Sequence, residues 1–146
     1  MNAEEAPAFV DTNILVYALA ADDPKRAPLA QGLIRRLMVN QALHTSTQIL
    51  QELYVTLTRK IRKPMLADQA LRYLERIAAW PVMTPDFEAI RSAIVLSTGH
   101  RISFWDALIV VAASRSGAQR LYTEDLHHGQ VLLGVEIFNP FREMAG

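Results

Sequence analysis

Short apolar runs alternate along the chain with longer stretches of helical periodicity. Runs of this kind, bounded by polar or turn residues, are typical of buried strands in a parallel sheet. We predict strands at residues 8–10, 42–45, 81–83, 119–123 and 135–140. Because strands that alternate with helices favour right-handed crossovers, the pattern predicts an α/β fold in which helices cover both faces of a parallel sheet.

The stretches between the predicted strands carry helix-start signals and helical spacing. One helix follows Asp11, and the next is signalled by Asp23 before Pro24. The spacing of Leu29, Leu33, Ile34, Leu37 and Met38 indicates the buried face of that second helix. Further helices are predicted from Ser46 to before Pro64, over 67–80, from Thr84 to about Gly99, and from an N-cap at Ser103 to just before Gly117.

Composition fits one folded domain spanning residues 1–146, because 51% of the residues are hydrophobic and 21% are charged. Fifteen basic residues balance fifteen acidic ones, so net charge gives no general attraction to a polyanion or a membrane. A nucleic-acid site would have to rest on local clusters or on bound cations.

Two features that the sequence lacks exclude certain kinds of site and certain cellular locations. The chain has no cysteine, which excludes disulfides, thiolate metal sites and a cysteine nucleophile. The N-terminal sequence lacks the apolar region of a signal peptide, and the apolar run "ALIVVAA" at 107–113 is far shorter than the about 20 residues that span a bilayer. We therefore expect a soluble cytoplasmic protein that does not engage a membrane.

Acidic residues stand where a parallel sheet places its functional sites, just beyond the carboxyl ends of the strands. Asp11 follows the first predicted strand, and Glu124 and Asp125 follow the fourth. Glu52 and Asp106 lie inside largely apolar helices that begin at the same edge. An acid in such a position is solvent-facing, paired or a ligand.

Each acid, taken alone, also has a structural interpretation. Asp11 could cap the following helix, and Glu52 could lie on a solvated face near Arg59. Ser103 and Asp106 have the spacing of a capping box, and the two acids after the fourth strand could form a polar turn. Taken together, four carboxylates at one edge would repel one another unless a divalent cation such as Mg²⁺ or Mn²⁺ neutralised them. Such an ion would polarise a phosphodiester and activate water.

Four segments in this order resemble the PIN-domain ribonucleases, and among them the VapC-type toxins of toxin–antitoxin pairs. They are "VDTNILVYA", "QELYVTL", "FWDALIVVAA" and "LYTEDL", and the resemblance runs from about Phe9 to Pro140. It implies a three-layer α/β/α sandwich with a central parallel sheet. It also implies an endoribonuclease that depends on Mg²⁺ or Mn²⁺ and serves as the toxin of a type II toxin–antitoxin system.

The resemblance assigns roles to the acidic residues. Asp11 and Asp106 would be the principal metal ligands, Glu52 would bind metal or orient the attacking water, and Asp125 would complete the catalytic pocket, often through water.

Polar neighbours would support these acids. Thr12 and Asn13 would lie beside the first aspartate, with Asn13 as a supporting amide, and Thr123 matches the small polar residue two positions before the last acid. Either Glu124 or Asp125 could point inward, and the family pattern favours Asp125.

The expected partners are RNA, a cognate antitoxin and a second copy of the chain. Arg59, Lys60 and Arg101 are predicted RNA contacts, although cations at the end of a helix also favour its C-terminal dipole. Trp105 could stack on a base, but its apolar helix favours burial in the core.

Three alternatives remain open on the sequence. The chain could be a PIN-domain nuclease that processes RNA outside any toxin–antitoxin pair, or a PIN-like scaffold that binds RNA or a partner without cutting. An aspartyl-phosphate phosphatase would need a second acid two positions after Asp11, where this chain has Asn13.

Overall fold

The computed structural model describes residues 5–144 of the chain. The strands are Ala8–Val10 (β1), Leu43–Ser46 (β2), Val82–Met83 (β3), Arg120–Tyr122 (β4), Val131–Leu132 (β5) and Val135–Phe138 (β6). The helices are Thr12–Ala20 (α1), Arg26–Val39 (α2), Thr47–Arg59 (α3), Ala67–Ala78 (α4), Phe87–His100 (α5) and Phe104–Arg115 (α6), and a short 3₁₀ turn covers Arg142–Met144. Across residues 5–144, every helix is too short or too polar to cross a membrane.

One six-stranded sheet runs through the centre in the order β3-β2-β1-β4-β6-β5. Neighbouring strands are parallel, except that β5 runs antiparallel to β6. Side chains of β1 alternate between the two faces, yet Ala8, Phe9 and Val10 are all at most 2% exposed. Both faces are therefore covered, and the predicted α/β/α sandwich with a central parallel sheet is confirmed.

Side-chain caps explain why three of the helices begin where they do. Ser46, Asp86 and Ser103 each accept a hydrogen bond from the backbone N–H three residues further on. At the other end of α6, Gly117 adopts a φ of 81°, a conformation in which a glycine carries no steric penalty.

The apolar run at 107–113 forms the buried centre of α6, where all seven residues are buried. This helix packs against α5 and against strands β2, β4 and β6. Its uniform hydrophobicity therefore reflects burial on all sides within a globular core.

Two details differ from the sequence-based expectation. Strand β5 was not predicted, because the apolar run "VLLGVEIF" hides a tight turn in which Leu133 and Gly134 both have positive φ. Leu29 was expected in the core and is 46% exposed, because it lies off the buried stripe of α2, which comprises Ala27, Ala30, Leu33 and Leu37.

Candidate active site

A cavity of about 350 Å³ opens beyond the carboxyl ends of β1 and β4. The four acidic residues predicted from the sequence all line it. The complete lining is Asp11, Thr12, Asn13, Val16, Tyr17, Glu52, Thr56, Asp106, Ile109 and Asp125. We call this space the acidic cavity. Within residues 5–144, none of its four carboxylates forms an ion pair.

Asp11 both caps α1 and faces the acidic cavity. Its Oδ1 accepts from the backbone N–H of Thr12 at 2.7 Å, and its Oδ2 accepts from the hydroxyl of Thr123 at 2.8 Å. Burial raises the pKa of Asp11 to about 6, the two hydrogen bonds act in the opposite direction, and the charges of Asp125 and Asp106 raise it further. The capping interpretation is therefore correct, and it does not exclude a site.

Asp106 uses only its backbone in the helix cap. The hydroxyl oxygen of Ser103 accepts from the Asp106 N–H at 3.0 Å, which is one half of a capping box. Within the described part of the chain, the Asp106 carboxylate takes part in no side-chain hydrogen bond and no ion pair. It is therefore free to bind a ligand in the cavity.

Glu52 is held in place by two neutral donors. The hydroxyl of Thr12 donates to its Oε2 at 3.1 Å, and the side-chain amide of Gln48 donates to its Oε1 at 2.9 Å. The alternative placement on a solvated face near Arg59 is wrong, because Glu52 is half-buried against α1. Thr12 thus connects Glu52 to Asp11.

The adjacent acids Glu124 and Asp125 have opposite surroundings. Glu124 accepts from the Tyr17 hydroxyl at 2.6 Å and from Arg26 Nε at 2.9 Å, which neutralises it. Asp125 lines the acidic cavity, as the family pattern favoured. Burial raises the pKa of Asp125, and the charge of Asp106 raises it further.

The donor set of the acidic cavity suits a hard divalent cation. Carboxylate and amide oxygens are the ligands that Mg²⁺ and Mn²⁺ prefer. Both polar atoms of the Asn13 amide are buried and lack a hydrogen-bond partner among residues 5–144. As the described side chains are placed, no group of three or more acidic, histidine or cysteine residues is arranged to hold an ion. Mg²⁺ nevertheless usually takes only one or two protein carboxylates and keeps several waters, so the residues present fit it.

Gln48 is the principal residue that the sequence reasoning missed. It is 6% exposed, and its amide donates both to Glu52 and to the backbone oxygen of Trp105 at 3.0 Å. It therefore ties α3 to the first turn of α6, where Asp106 lies. Its signal was available in the sequence, since a polar residue four positions before an acid lies on the same helix face.

The predicted RNA contacts lie outside the lining of the cavity. Arg59 and Lys60 are exposed at the end of α3, one turn beyond Thr56, which does line it. Arg101 is exposed at the end of α5 with a φ of 56°. The expected burial of Trp105 is wrong, because this side chain is 62% exposed and faces outward ahead of the buried run of α6.

Comparisons with known proteins agree with this arrangement. The PIN domain family model matches residues 8–131. Ribonuclease VapC23 of Mycobacterium tuberculosis is 31% identical over 118 residues, which cover 80% of this chain and 91% of that protein. A toxin–antitoxin complex from Klebsiella pneumoniae superposes with a TM-score of 0.69 at 16% identity, over 91% of this chain and 97% of that one. The sarcin–ricin loop cleaving toxin VapC20 of M. tuberculosis gives a TM-score of 0.63 at 23% identity, over 81% and 91%.

Proposed function

Because the chain belongs to the PIN domain family and to the VapC ribonucleases within it, we propose that it is a metal-dependent endoribonuclease and the toxin of a type II toxin–antitoxin pair. The observation that carries this proposal is the convergence of four carboxylates on one cavity without a cationic partner among residues 5–144. Such an arrangement is electrostatically costly unless a bound cation compensates it.

Asp11 and Asp106 would hold Mg²⁺ or Mn²⁺, with Glu52 as a third ligand or as the group that orients water. When bound, the ion polarises the phosphodiester, activates water and stabilises the leaving oxygen. Asp125 would complete the cavity from the other side, often through a water molecule.

Neighbouring groups hold the carboxylates of these acids in position through hydrogen bonds. The Thr123 hydroxyl and the Thr12 N–H hold the Asp11 carboxylate, so its oxygens are fixed before any ligand arrives. Gln48 and the Thr12 hydroxyl hold Glu52, whose carboxylate can accept a proton from, or orient, a water molecule. Asn13 presents an unpartnered amide to the same space.

The partners follow from the same assignment. RNA would contact Arg59, Lys60 and Arg101 through its phosphates, and the protein would act in the cytoplasm as a homodimer controlled by a cognate antitoxin. The Klebsiella structure is a toxin–antitoxin complex, and a similar VapBC from Salmonella typhimurium is bound to DNA, which supports an antitoxin partner. Leu15 and Leu19 line a mostly apolar cavity of about 370 Å³ between α1, α2 and α4, which offers an antitoxin an apolar surface.

The most direct test removes the charge of Asp106, whose carboxylate supports nothing else in the described structure. With RNA and Mg²⁺, the wild-type chain should cleave, a chelator should stop it, and Asp106→Asn should reduce the rate at least about 100-fold. The control is Glu136→Gln, which removes an equal charge at a carboxylate already paired with Arg120. Cleavage that survives both the chelator and Asp106→Asn would refute the proposal.

A further inference from the structure

Four cations stand close together at the end of α3 and just beyond it. They are Arg59, Lys60, Arg62 and Lys63, which we call the basic segment, and all four side chains are exposed. Within residues 5–144, every ion pair uses other cations. The basic segment therefore presents about four uncompensated positive charges on a chain whose net charge is zero.

The basic segment lies on the same side of the molecule as the acidic cavity. Glu52 and Thr56 line that cavity, and Arg59 and Lys60 follow at the three- and four-residue spacing that keeps side chains on one helix face. From Glu52 to Lys60 the helix rises about 12 Å at about 1.5 Å per residue. The cations thus begin a short distance from the acids, at the end of α3.

A second cavity continues this path. It measures about 630 Å³, and its lining comprises Leu19, Ala20, Ala21, Asp22, Ile61, Arg62, Lys63, Pro64, Met65, Gln69 and Tyr73. Helix α1 contributes Asn13 and Tyr17 to the acidic cavity and Ala20 to the second one, at helical spacing. Helix α1 therefore borders both spaces, and the second one is completed by the connection that follows α3 and by Gln69 and Tyr73 of α4.

The backbone fixes the basic segment in place. The N–H of Ile61 donates to the Thr56 carbonyl at 3.2 Å, and the N–H of Met65 donates to the Leu57 carbonyl at 2.8 Å. These bonds fold the connection back onto the end of α3. The helix dipole accounts for cations at Arg59 and Lys60, but Arg62 and Lys63 lie past the helix and line the second cavity instead.

We propose that the surface running from α3 to the connection after it carries the RNA strand away from the acidic cavity, with Arg62 and Lys63 binding its phosphates in the second cavity. Arg59 and Lys60 lie between the two spaces and hold the intervening backbone. One acid, Asp22, lines the second cavity and is outnumbered by the cations. Gln69 and Tyr73 offer the strand an amide and an aromatic ring on the opposite wall. This assignment rests on the proposed ribonuclease function for its substrate.

The test measures how the affinity for a labelled single-stranded RNA depends on salt, with the full chain in chelator so that no cleavage occurs. Each phosphate contact contributes about 0.7 to the slope of log K against log salt for single strands. Arg62→Gln/Lys63→Gln should therefore reduce the slope by about 1.4, which is about a sevenfold smaller loss of affinity between about 50 and 200 mM salt. The control, Arg72→Gln/Arg91→Gln, changes net charge equally at exposed positions on α4 and α5.

A slope that falls equally in both double variants would overturn the inference, since general charge would then explain it. An unchanged slope in Arg62→Gln/Lys63→Gln would overturn it too. If the wild-type chain cleaves no RNA with Mg²⁺ yet shows the specific loss of slope, the proposed nuclease activity fails and the RNA path stands.

Discussion

Acidic side chains line a cavity at each edge of the sheet, and their surroundings differ between the two edges. At the carboxyl edge, Asp11 and its three acidic neighbours share a cavity without a cation among the described residues. Around the amino ends of β1 and β4, a cavity of about 460 Å³ is lined by Glu5 and Glu136, and each of these is paired with an arginine. The Glu136 oxygen lies 2.7 Å from Arg120, and that of Glu5 lies 3.3 Å from Arg36.

The difference teaches how to distinguish a structural carboxylate from a functional one. A paired acid satisfies its own charge and needs nothing from outside the chain. Burial raises the pKa values of Asp11 and Asp125, and the charge of the unpaired Asp106 raises both further. Glu124 and Asp125 show that the same contrast separates two adjacent residues.

The largest expected effect comes from Asp11→Asn, which removes the most buried charge of the acidic cavity. We expect Mg²⁺-dependent cleavage of RNA to fall at least about 10³-fold, equivalent to about 4 kcal/mol of transition-state stabilisation. The measurement is the single-turnover cleavage rate at saturating RNA. Asp68→Asn, an exposed acid on α4, is the matched control and should cleave like the wild type. A residual rate within tenfold of the wild type would show that the carboxyl edge is not catalytic.

The second prediction concerns pH and stability in the absence of metal. Because the folded chain raises the pKa of Asp11 from 3.8 to about 6, it holds this proton more tightly than the unfolded chain does. The contribution of Asp11 to the free energy of unfolding is therefore highest below about pH 4. It falls by about 3 kcal/mol as pH rises to about 6, since one pKa unit is about 1.4 kcal/mol. Urea unfolding in chelator should show this fall in the wild type and a flatter profile in Asp11→Asn. Parallel profiles would contradict the prediction.

Gln48→Leu should weaken metal binding in the acidic cavity more than it weakens the fold. Glu52 loses a donor, so we expect the Mg²⁺ concentration for half-maximal cleavage to rise about 10- to 100-fold. The free energy of unfolding should fall by only about 1–3 kcal/mol, because the Trp105 carbonyl and Glu52 lose the donor while the buried Oε1 without a partner is removed. Gln51→Leu makes the same chemical change at an exposed position of α3 and should leave the metal requirement unaltered. If Gln48→Leu lowers stability and leaves the metal requirement unchanged, the residue is merely structural.

The smallest effect, a loss of folding stability, is expected at the amino edge of the sheet. Glu136→Gln breaks the pair with Arg120, whose guanidinium also lies 4.5 Å from the ring centroid of Phe138. Since both paired side chains are about 40% exposed, the loss should stay below about 1 kcal/mol, measured by urea unfolding. A loss of several kcal/mol in the free energy of unfolding would contradict the view that the paired edge is of minor energetic importance.

The fold could be predicted from the sequence because its signals are local. Caps at Ser46 and Ser103, the apolar strands and the buried run of α6 each depend on a few neighbouring residues. Strand β5 could not be predicted, because its turn places Leu133, a residue with no turn preference, at positive φ.

The acids of the site could be predicted because each follows a strand or begins a helix at one edge of the sheet. Their partners could not, since these contacts join residues far apart in sequence. The Tyr17 and Arg26 contacts that neutralise Glu124 are of this kind, and so is the exposure of Trp105 beside a buried run. Which of two adjacent acids is free depends on side-chain direction, and that is set only when distant helices meet.

One buried hydroxyl group, that of Thr123, tolerates few substitutions. Thr123 is fully buried, and its Oγ1 gives its proton to Asp11 while receiving the N–H of Asp125 at 3.1 Å. The Thr123 hydroxyl donates one hydrogen bond and accepts another. Thr123→Val keeps nearly the same shape but would remove both hydrogen bonds. Serine would retain both hydrogen bonds, but it lacks the methyl branch that suits a strand.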